Sequence, residues 1–281
     1  MGTLFVVATP IGNLKDMTFR AIDILKTVDY VLCEDTRVSL KLFKHFDINN
    51  KLVSYHKFNE NERIAKILTD LNNGMDIALI SDAGTPCISD PGFVIVKKVR
   101  EAGISVLSIG GISAFVSALS SGGISTDNFI FYGFFPRENK DRTKLVKNLK
   151  DCFVNTIVFY ESPKRIVKTL EYLYNVFGNI KISVFKEITK IHEKNYYGLI
   201  SDVIEELKND DKVSFGEYTF IIEKKTLSTE SRKISLEGYL VDEMIQKGLS
   251  LKDAVNSLND KFDDVSKKDI YNAGLNLKNL L

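Results

Sequence analysis

The sequence predicts an α/β protein: two α/β domains followed by a small all-α segment. Three patterns predict it. Short apolar runs alternate with helical periodicity through the first 121 residues, strands then succeed one another without a helix every time, and the tail carries helical spacing without a strand-like run. With 281 residues and 44% hydrophobic content, the chain is long enough to bury a core in each of two domains.

The first element, 3–9 (TLFVVAT), is an apolar run ended by the breakers Pro10 and Gly12, as expected of a strand buried on both faces. A helix is expected over 18–26, where Phe19, Ile22 and Leu25 recur at helical spacing. The alternation continues with strand 28–34, helix 38–45, strand 52–55, helix 62–71, strand 77–81, helix 93–101, strand 105–109 and helix 113–121. Such a succession implies a parallel sheet covered on both faces, forming a first domain over 1–121.

Gly122 and Gly123 read as a hinge into a second domain over 122–225. Its strands are expected at 129–135, 156–161, 182–187, 194–199 and 218–223, with helices at 140–149, 163–177 and 201–208, a pattern that implies a mixed sheet. The polar stretch 226–234, which contains TLSTESRK, reads as a linker. Over 235–281, three short helical patterns at 236–246, 251–258 and 267–277 resemble a helix-turn-helix bundle.

Composition excludes several classes. Lys plus Arg number 38 against 37 Asp plus Glu, so no global field draws the chain to nucleic acid or an anionic membrane, and a basic partner surface has to be local. The three cysteines form no CxxC pair and the three histidines no HExxH spacing, so neither a metal site nor a disulfide frame is expected. Without a basic leader or an apolar run near the ~20 residues of a membrane helix, the expectation is a cytoplasmic protein with no membrane contact.

In an open parallel sheet, ligands bind beyond the carboxyl ends of the strands. The loops there are TPIGNL (9–14), EDTR (34–37), SDAGTPCISDPG (81–92) and GGISA (110–114), and in all but EDTR glycine and other small residues let a ligand approach the backbone. The first lacks the GxGxxG dinucleotide fingerprint and no GxxxxGK[ST] loop occurs, which disfavours NAD and ATP. Within the fourth-strand loop, residues 82–85 are expected to face a ligand, and Asp90, Pro91 and Gly92 to cap and open the next helix.

The ordered strings VATPIGNLKDMTFRAI, CEDTR, SYHKFNE, ALISDAGTPCISDPG, STDNFIFYGFFPR and VFYESPKRI resemble the 16S ribosomal RNA ribose 2′-O-methyltransferases of the tetrapyrrole methylase superfamily. The resemblance runs from about residue 4 to 223, and a helix-turn-helix tail fits it as well. It implies S-adenosyl-L-methionine as cofactor, bound in a cleft between the two α/β domains, and methylation of the ribose 2′-hydroxyl of a cytidine in the decoding centre. The implied partners are 16S ribosomal RNA within the small ribosomal subunit and a second copy of the chain in a homodimer. By similarity, Ile11, Asp82, Ala83, Gly84, Thr85, Ile112, Ser113, Ala114, Phe159 and Tyr160 would line the cofactor. The loop 110–114 reads GGISA where the family usually has PGPSA, Cys87 stands where glycine is common, and Lys164 where histidine is common.

The chemistry suggests further residues. A carboxylate suits the cofactor's ammonium or a ribose hydroxyl, and Asp82 is the candidate, with a turn cap as its alternative. A neutral ribose hydroxyl is a poor nucleophile, so a base or a nearby cation helps. Candidates are Glu34, Asp35 and Arg37 of EDTR, Glu161 of YESPKR, and Glu187, Lys190 and His192 of KEITKIHE; Asp35 and Arg37 equally make an ion pair closing a strand end. For RNA, 136–150 (PRENKDRTKLVKNLK) is the most basic stretch, with Arg137, Lys140, Arg142 and Lys144 as candidate contacts. The alternative functions are a small-molecule tetrapyrrole methylase and a non-catalytic RNA-binding ribosome assembly protein.

Overall fold

The computed structural model describes residues 1–224, 235–261 and 266–278. The expected linker 226–234 lies outside them. The chain forms two compact units, Met1–Lys224 and Lys225–Leu281.

The first sheet is built from β1 (Thr3–Val7), β2 (Tyr30–Cys33), β3 (Leu52–Ser54), β4 (Ile77–Leu79) and β5 (Ser105–Ile109) in the order β3-β2-β4-β1-β5. Every pairing is parallel, as the alternation predicts. Strand alternation separates the two faces. Tyr30, Leu32, Ile77 and Leu79 pack with Ile67 and Leu71 of α3 (Glu60–Asn72) and with Ile95 and Val99 of α4 (Phe93–Glu101). Val31, Cys33 and Ala78 pack with Ala21 and Leu25 of α1 (Phe19–Thr27) and Phe43 of α2 (Thr36–His45).

The second sheet takes β6 (Phe129–Phe134), β7 (Thr156–Glu161), β8 (Lys181–Lys186), β9 (Lys194–Leu199) and β10 (Tyr218–Glu223) in the order β6-β7-β10-β8-β9. Only β6 and β7 are parallel, so the sheet is mixed as expected. One face buries Ile157, Phe159, Ile182, Val184 and Phe220 beneath α6 (Asn139–Asp151), α7 (Ile166–Phe177) and α8 (Ile200–Lys208). The other face carries Val158, Phe185 and Ile221, which bury Ala118 and Leu119 of α5 (Ala114–Ser121).

That contact corrects the expected hinge. Helix α5, assigned by sequence to the first domain, packs its apolar face on the second sheet, and a Cβ on Gly122 would lie 2.8 Å from the Ile221 side chain. Gly122 thus permits close packing, and residues 1–224 cohere as one unit. In the C-terminal unit, α9 (Leu236–Lys247), α10 (Leu251–Lys261) and α11 (Lys267–Lys278) pack around Leu240, Ala254, Leu258, Ile270, Ala273 and Leu277. No helix among the described residues is long and apolar enough to cross a membrane.

A buried clamp ties the end of β7 to α7. The fully buried Glu161 carboxylate accepts from Arg165 Nε at 2.8 Å, from Arg165 Nη2, from the Ser162 backbone at 2.7 Å and from Thr169 Oγ1 at 2.6 Å. Arg165 Nη2 also donates to the Phe135 carbonyl at 2.8 Å, which brings in the end of β6. Removing one partner leaves a buried charge unpaired. Urea unfolding is therefore expected to find Glu161→Ala destabilised by about 3–5 kcal/mol and Thr169→Val by about 1–3 kcal/mol. Loss of less than about 0.5 kcal/mol in both would show that the clamp contributes nothing.

Candidate functional site

The loops after β1 and β4 leave adjacent parallel strands. Thr9 and Gly84 exchange backbone hydrogen bonds, Thr9 N to Gly84 O at 2.9 Å and Gly84 N to Thr9 O at 3.1 Å, an isolated antiparallel bridge just beyond both strands. The buried Thr9 hydroxyl donates to the Ser81 carbonyl at 3.2 Å. Gly84 adopts φ +79°, a conformation that favours glycine.

Beyond this bridge lies a cleft of about 430 Å³ inside the first unit. Of the ten expected cofactor residues, Ile11, Asp82, Ala83, Gly84, Thr85, Ser113, Ala114 and Tyr160 line it. The first sheet thus supplies three loops, since Ser113 and Ala114 open α5. Phe159 does not reach the cleft. It is completely buried and stacks on Phe220 at 5.1 Å, because consecutive strand residues face opposite sides and Tyr160 takes the cleft side. Ile112 is half-buried and lies off the cleft wall.

Tyr160 is held by an aromatic cluster, 4.9 Å from Phe131 and 5.6 Å from Phe134, and burial raises its pKa. Ile11 and Ile188 add apolar wall. The opposite character comes from carboxylates. Asp82 and Asp90 line the cleft, with Glu34 close by. Burial, then repulsion from Glu34 and Asp82, pushes the Asp90 pKa up to about 6. Glu34 is raised by burial and by Asp82, an effect His56 partly offsets.

Asp90 was expected to cap the next helix. Gly92 takes that position at φ +130°, with no side-chain cap, and Asp90 faces the cleft. Cys87 and Ser89 in the same loop have φ +72° and +65°, which accounts for glycine being usual where Cys87 stands.

The expected catalytic residues separate. Asp35 is the N-cap of α2, accepting from Arg37 N at 2.8 Å, and its carboxylate pairs with Arg37 Nε and Nη2 at 3.0 and 2.6 Å. These hydrogen bonds from Arg37 hold the Asp35 pKa down to about 2. EDTR is therefore a helix start closed by an ion pair, and neither Asp35 nor Arg37 lines the cleft. Asp82 Oδ1 accepts from Asp35 N at 3.1 Å, so Asp82 both ties this turn to the β4 loop and faces the cleft. Glu161 borders the cleft, but both its oxygens are engaged in the buried clamp, which leaves neither turned to an acceptor in the cleft. From KEITKIHE, Lys190 Nζ lies between Glu187 Oε1 at 2.7 Å and Glu217 Oε2 at 2.9 Å, whereas His192 is exposed.

Sequence reasoning missed Asp90, Glu217, Tyr218 and Thr219, all on the cleft wall. Glu217 immediately precedes β10 and Tyr218 and Thr219 start it; the strand runs antiparallel to β7 and pairs Tyr218 with Glu161. In a mixed sheet an antiparallel strand brings its amino end to the edge where its neighbours end, a signal present in the expected topology. On α6, Arg137, Lys140 and Lys144 are exposed in or just before the helix, with Lys140, Lys144 and Lys147 on one stripe. Arg142 is half-buried, donates to the Pro136 carbonyl at 2.9 Å and lies over Phe135 and Tyr172, so it braces the helix start.

A family model described as Tetrapyrrole (Corrin/Porphyrin) Methylases matches residues 3–204. A Halalkalibacterium halodurans protein named ribosomal RNA small subunit methyltransferase I is 40% identical over 276 residues, 96% of this chain and 94% of its own length. Its Bacillus subtilis namesake is 40% identical over 284 residues, 97% of this chain and 94% of its own length. A diphthine synthase crystal structure has the same fold, with TM-score 0.63 and 11% identity over 80% of this chain and 91% of its own. The family match over most of the two-sheet unit, and these near full-length relatives, show that the chain belongs to the tetrapyrrole (corrin/porphyrin) methylase family.

Proposed function

We propose that the protein is an S-adenosylmethionine-dependent methyltransferase that modifies the ribose 2′-hydroxyl of a cytidine in the decoding centre of 16S ribosomal RNA. One observation carries the cofactor assignment: an apolar-walled cleft whose floor holds the mutually repelling carboxylates Asp82 and Asp90, with Glu34 nearby. Such a floor suits a ligand with an apolar body and positive charge, because a cation relieves the repulsion. A sulfonium with an attached ammonium and a flat purine fits that description, and about 430 Å³ is in the usual range for a small-molecule site. Ile11, Ala114 and Ile188 would bound the apolar parts, and Asp82 and Asp90 would meet the cationic or hydroxyl groups.

The bound cofactor would supply an electrophilic methyl group. The chain's task is then to align the acceptor and exclude water, since in-line displacement is dominated by positioning. The RNA assignment rests on the relatives' names, the matched motifs and the exposed cations Arg137, Lys140 and Lys144. The same reading makes the protein a cytoplasmic partner of the small ribosomal subunit, acting as a homodimer.

Purified protein incubated with methyl-labelled S-adenosylmethionine and small subunits lacking the modification is expected to place label in 2′-O-methylcytidine. Label on a base or on a porphyrin precursor instead would sink the assignment, and absence of cofactor binding by calorimetry would favour a non-catalytic role. Cofactor affinity is expected to rise with pH through about 6, because Asp90 attracts a cation only when ionised. Asp90→Asn should abolish that rise and weaken binding. The same change should stabilise the free protein: the raised Asp90 pKa means that folding penalises its charge, a penalty absent below about pH 3, growing from about pH 4 and complete above about 6. A Tm increase of roughly 2–4 °C is expected at pH 7.5 and none at about pH 3; equal changes at both pH values would contradict it. Replacing Arg137, Lys140 and Lys144 together by Ala should flatten the salt dependence of RNA binding, with a slope smaller by roughly 2–3 and cofactor affinity intact.

A further inference from the structure

The loop after β8 and the residue before β10 carry a charged constellation in which the sequence singles out Glu187 and Lys190 but assigns nothing to Glu217. Lys190 Nζ is held between Glu187 Oε1 at 2.7 Å and Glu217 Oε2 at 2.9 Å, and Glu187 Oε1 also accepts from the Glu217 backbone at 2.9 Å. Two glycines make room for it. A Cβ on Gly12, at φ +145° in the TPIGNL loop, would fall 2.4 Å from Lys190 Cγ, so the lysine stem lies directly across the β1 loop. A Cβ on Gly216, at φ +87°, would fall 2.7 Å from Glu187 Cγ. Glu187 and Thr189 themselves hold φ +58° and +68°, a cost that non-glycine residues sustain only where surroundings impose it.

The two carboxylates are not equivalent. Glu187 is largely covered, wedged against Gly216 and fixed by two donors on one oxygen. Glu217 is 77% exposed, lines the cleft and uses Oε2 for Lys190. Burial alone would lower the Lys190 pKa, but Glu187 and Glu217 more than offset it and raise it, so Lys190 stays a cation and is no base.

Resting on the methyltransferase reading above, we propose that Glu217 is the catalytic residue that accepts the proton of the acceptor hydroxyl, positioned by Lys190 and Glu187. In that step the hydroxyl oxygen forms its bond to the methyl carbon as the carbon–sulfur bond breaks. The bonding pair passes to sulfur, which becomes neutral, and the hydroxyl proton passes to the Glu217 carboxylate. Proton acceptance of this kind contributes about 10²–10⁴-fold to rate.

The test uses the full chain, labelled S-adenosylmethionine and small subunits lacking the modification. Glu217→Gln keeps the shape and is expected to lower kcat by roughly 100-fold or more, with cofactor affinity and the KM for subunits changed less than about threefold; Glu217→Asp should recover part of the rate. Among the described residues, the titratable groups facing Glu217 are Lys190, Glu187 and the Tyr160 hydroxyl. Lys190→Met removes the partner that holds Glu217 Oε2 and should lower kcat with the KM for subunits little changed, whereas Lys190→Arg, which keeps a donor to both carboxylates, should recover most of the rate; a purely structural brace would show no such split. The proposal is overturned if Glu217→Gln retains kcat within about fivefold, or if its loss is fully explained by weaker cofactor binding. If the wild-type protein binds cofactor yet labels no RNA, the methyltransferase reading itself fails and takes this assignment with it.

Discussion

The cleft depends first on the reciprocal backbone pair between Thr9 and Gly84. In the order β3-β2-β4-β1-β5, β1 connects toward β2 on one side while β4 connects over it to β5 on the other. Loops that depart in opposite directions from neighbouring parallel strands leave a crevice between them. Left alone, those loops would splay. The Thr9–Gly84 bridge instead closes the base of the crevice, and the Thr9 hydroxyl, buried against the Ser81 carbonyl, fixes the first turn of the β4 loop. Ile11, Ala83 and Thr85 consequently reach the cleft from backbone that flanks this bridge.

The opposite wall is fixed by packing. Helix α5 starts at the cleft with Ser113 and Ala114 and ends buried on Val158, Phe185 and Ile221 of the second sheet. Its chain origin is the first sheet and its core is the second, so the two halves share apolar contacts directly beside the cleft. The Glu161–Arg165–Thr169 clamp does the same work on the far side with charge, joining the ends of β6, β7 and α7. A site braced by a shared core and a buried ion pair is preorganised, which is what alignment of two reactants requires.

The alternation of apolar runs and helices made the parallel sheet legible, because strands buried on both faces, such as all-buried β2 and β4, leave an uninterrupted signal. The three glycine-containing loops that border the cleft were legible for the related reason that the sheet edge is set by topology. Sequence and structure part where one residue type serves two purposes. Asp35 and Arg37 offer a carboxylate and a cation at a strand end, but the same pair caps a helix, and only the backbone of α2 distinguishes them. Phe159 and Tyr160 are adjacent aromatics whose faces depend on register, which the pairing of Phe220 with Phe159 decides. Arg142 reads as one more surface cation until the rings of Phe135 and Tyr172 appear beneath it. Glu217 is not legible from the rule that ligands lie beyond the carboxyl ends of strands, because β10 meets the cleft at its amino end.

Unfavourable features collect around this one cleft. Among the described residues, the non-glycine positions with left-handed backbone are Asp47 and four others: Cys87 and Ser89 in the β4 loop, and Glu187 and Thr189 after β8. Those four sit in the two loops that supply Ile88, Asp90 and Ile188 to the cleft wall. The carboxylates that repel one another, Glu34, Asp82 and Asp90, gather at the same place. Strain and like charge each favour local opening, yet the bridge at Thr9, the core under α5 and the clamp at Glu161 surround them. Repulsion among the carboxylates is a cost that a bound cation removes, whereas the backbone strain stays whether or not a ligand is present. The two costs therefore differ in kind: the charge makes the cleft selective for a positive ligand, and the strained loops hold the geometry into which that ligand fits.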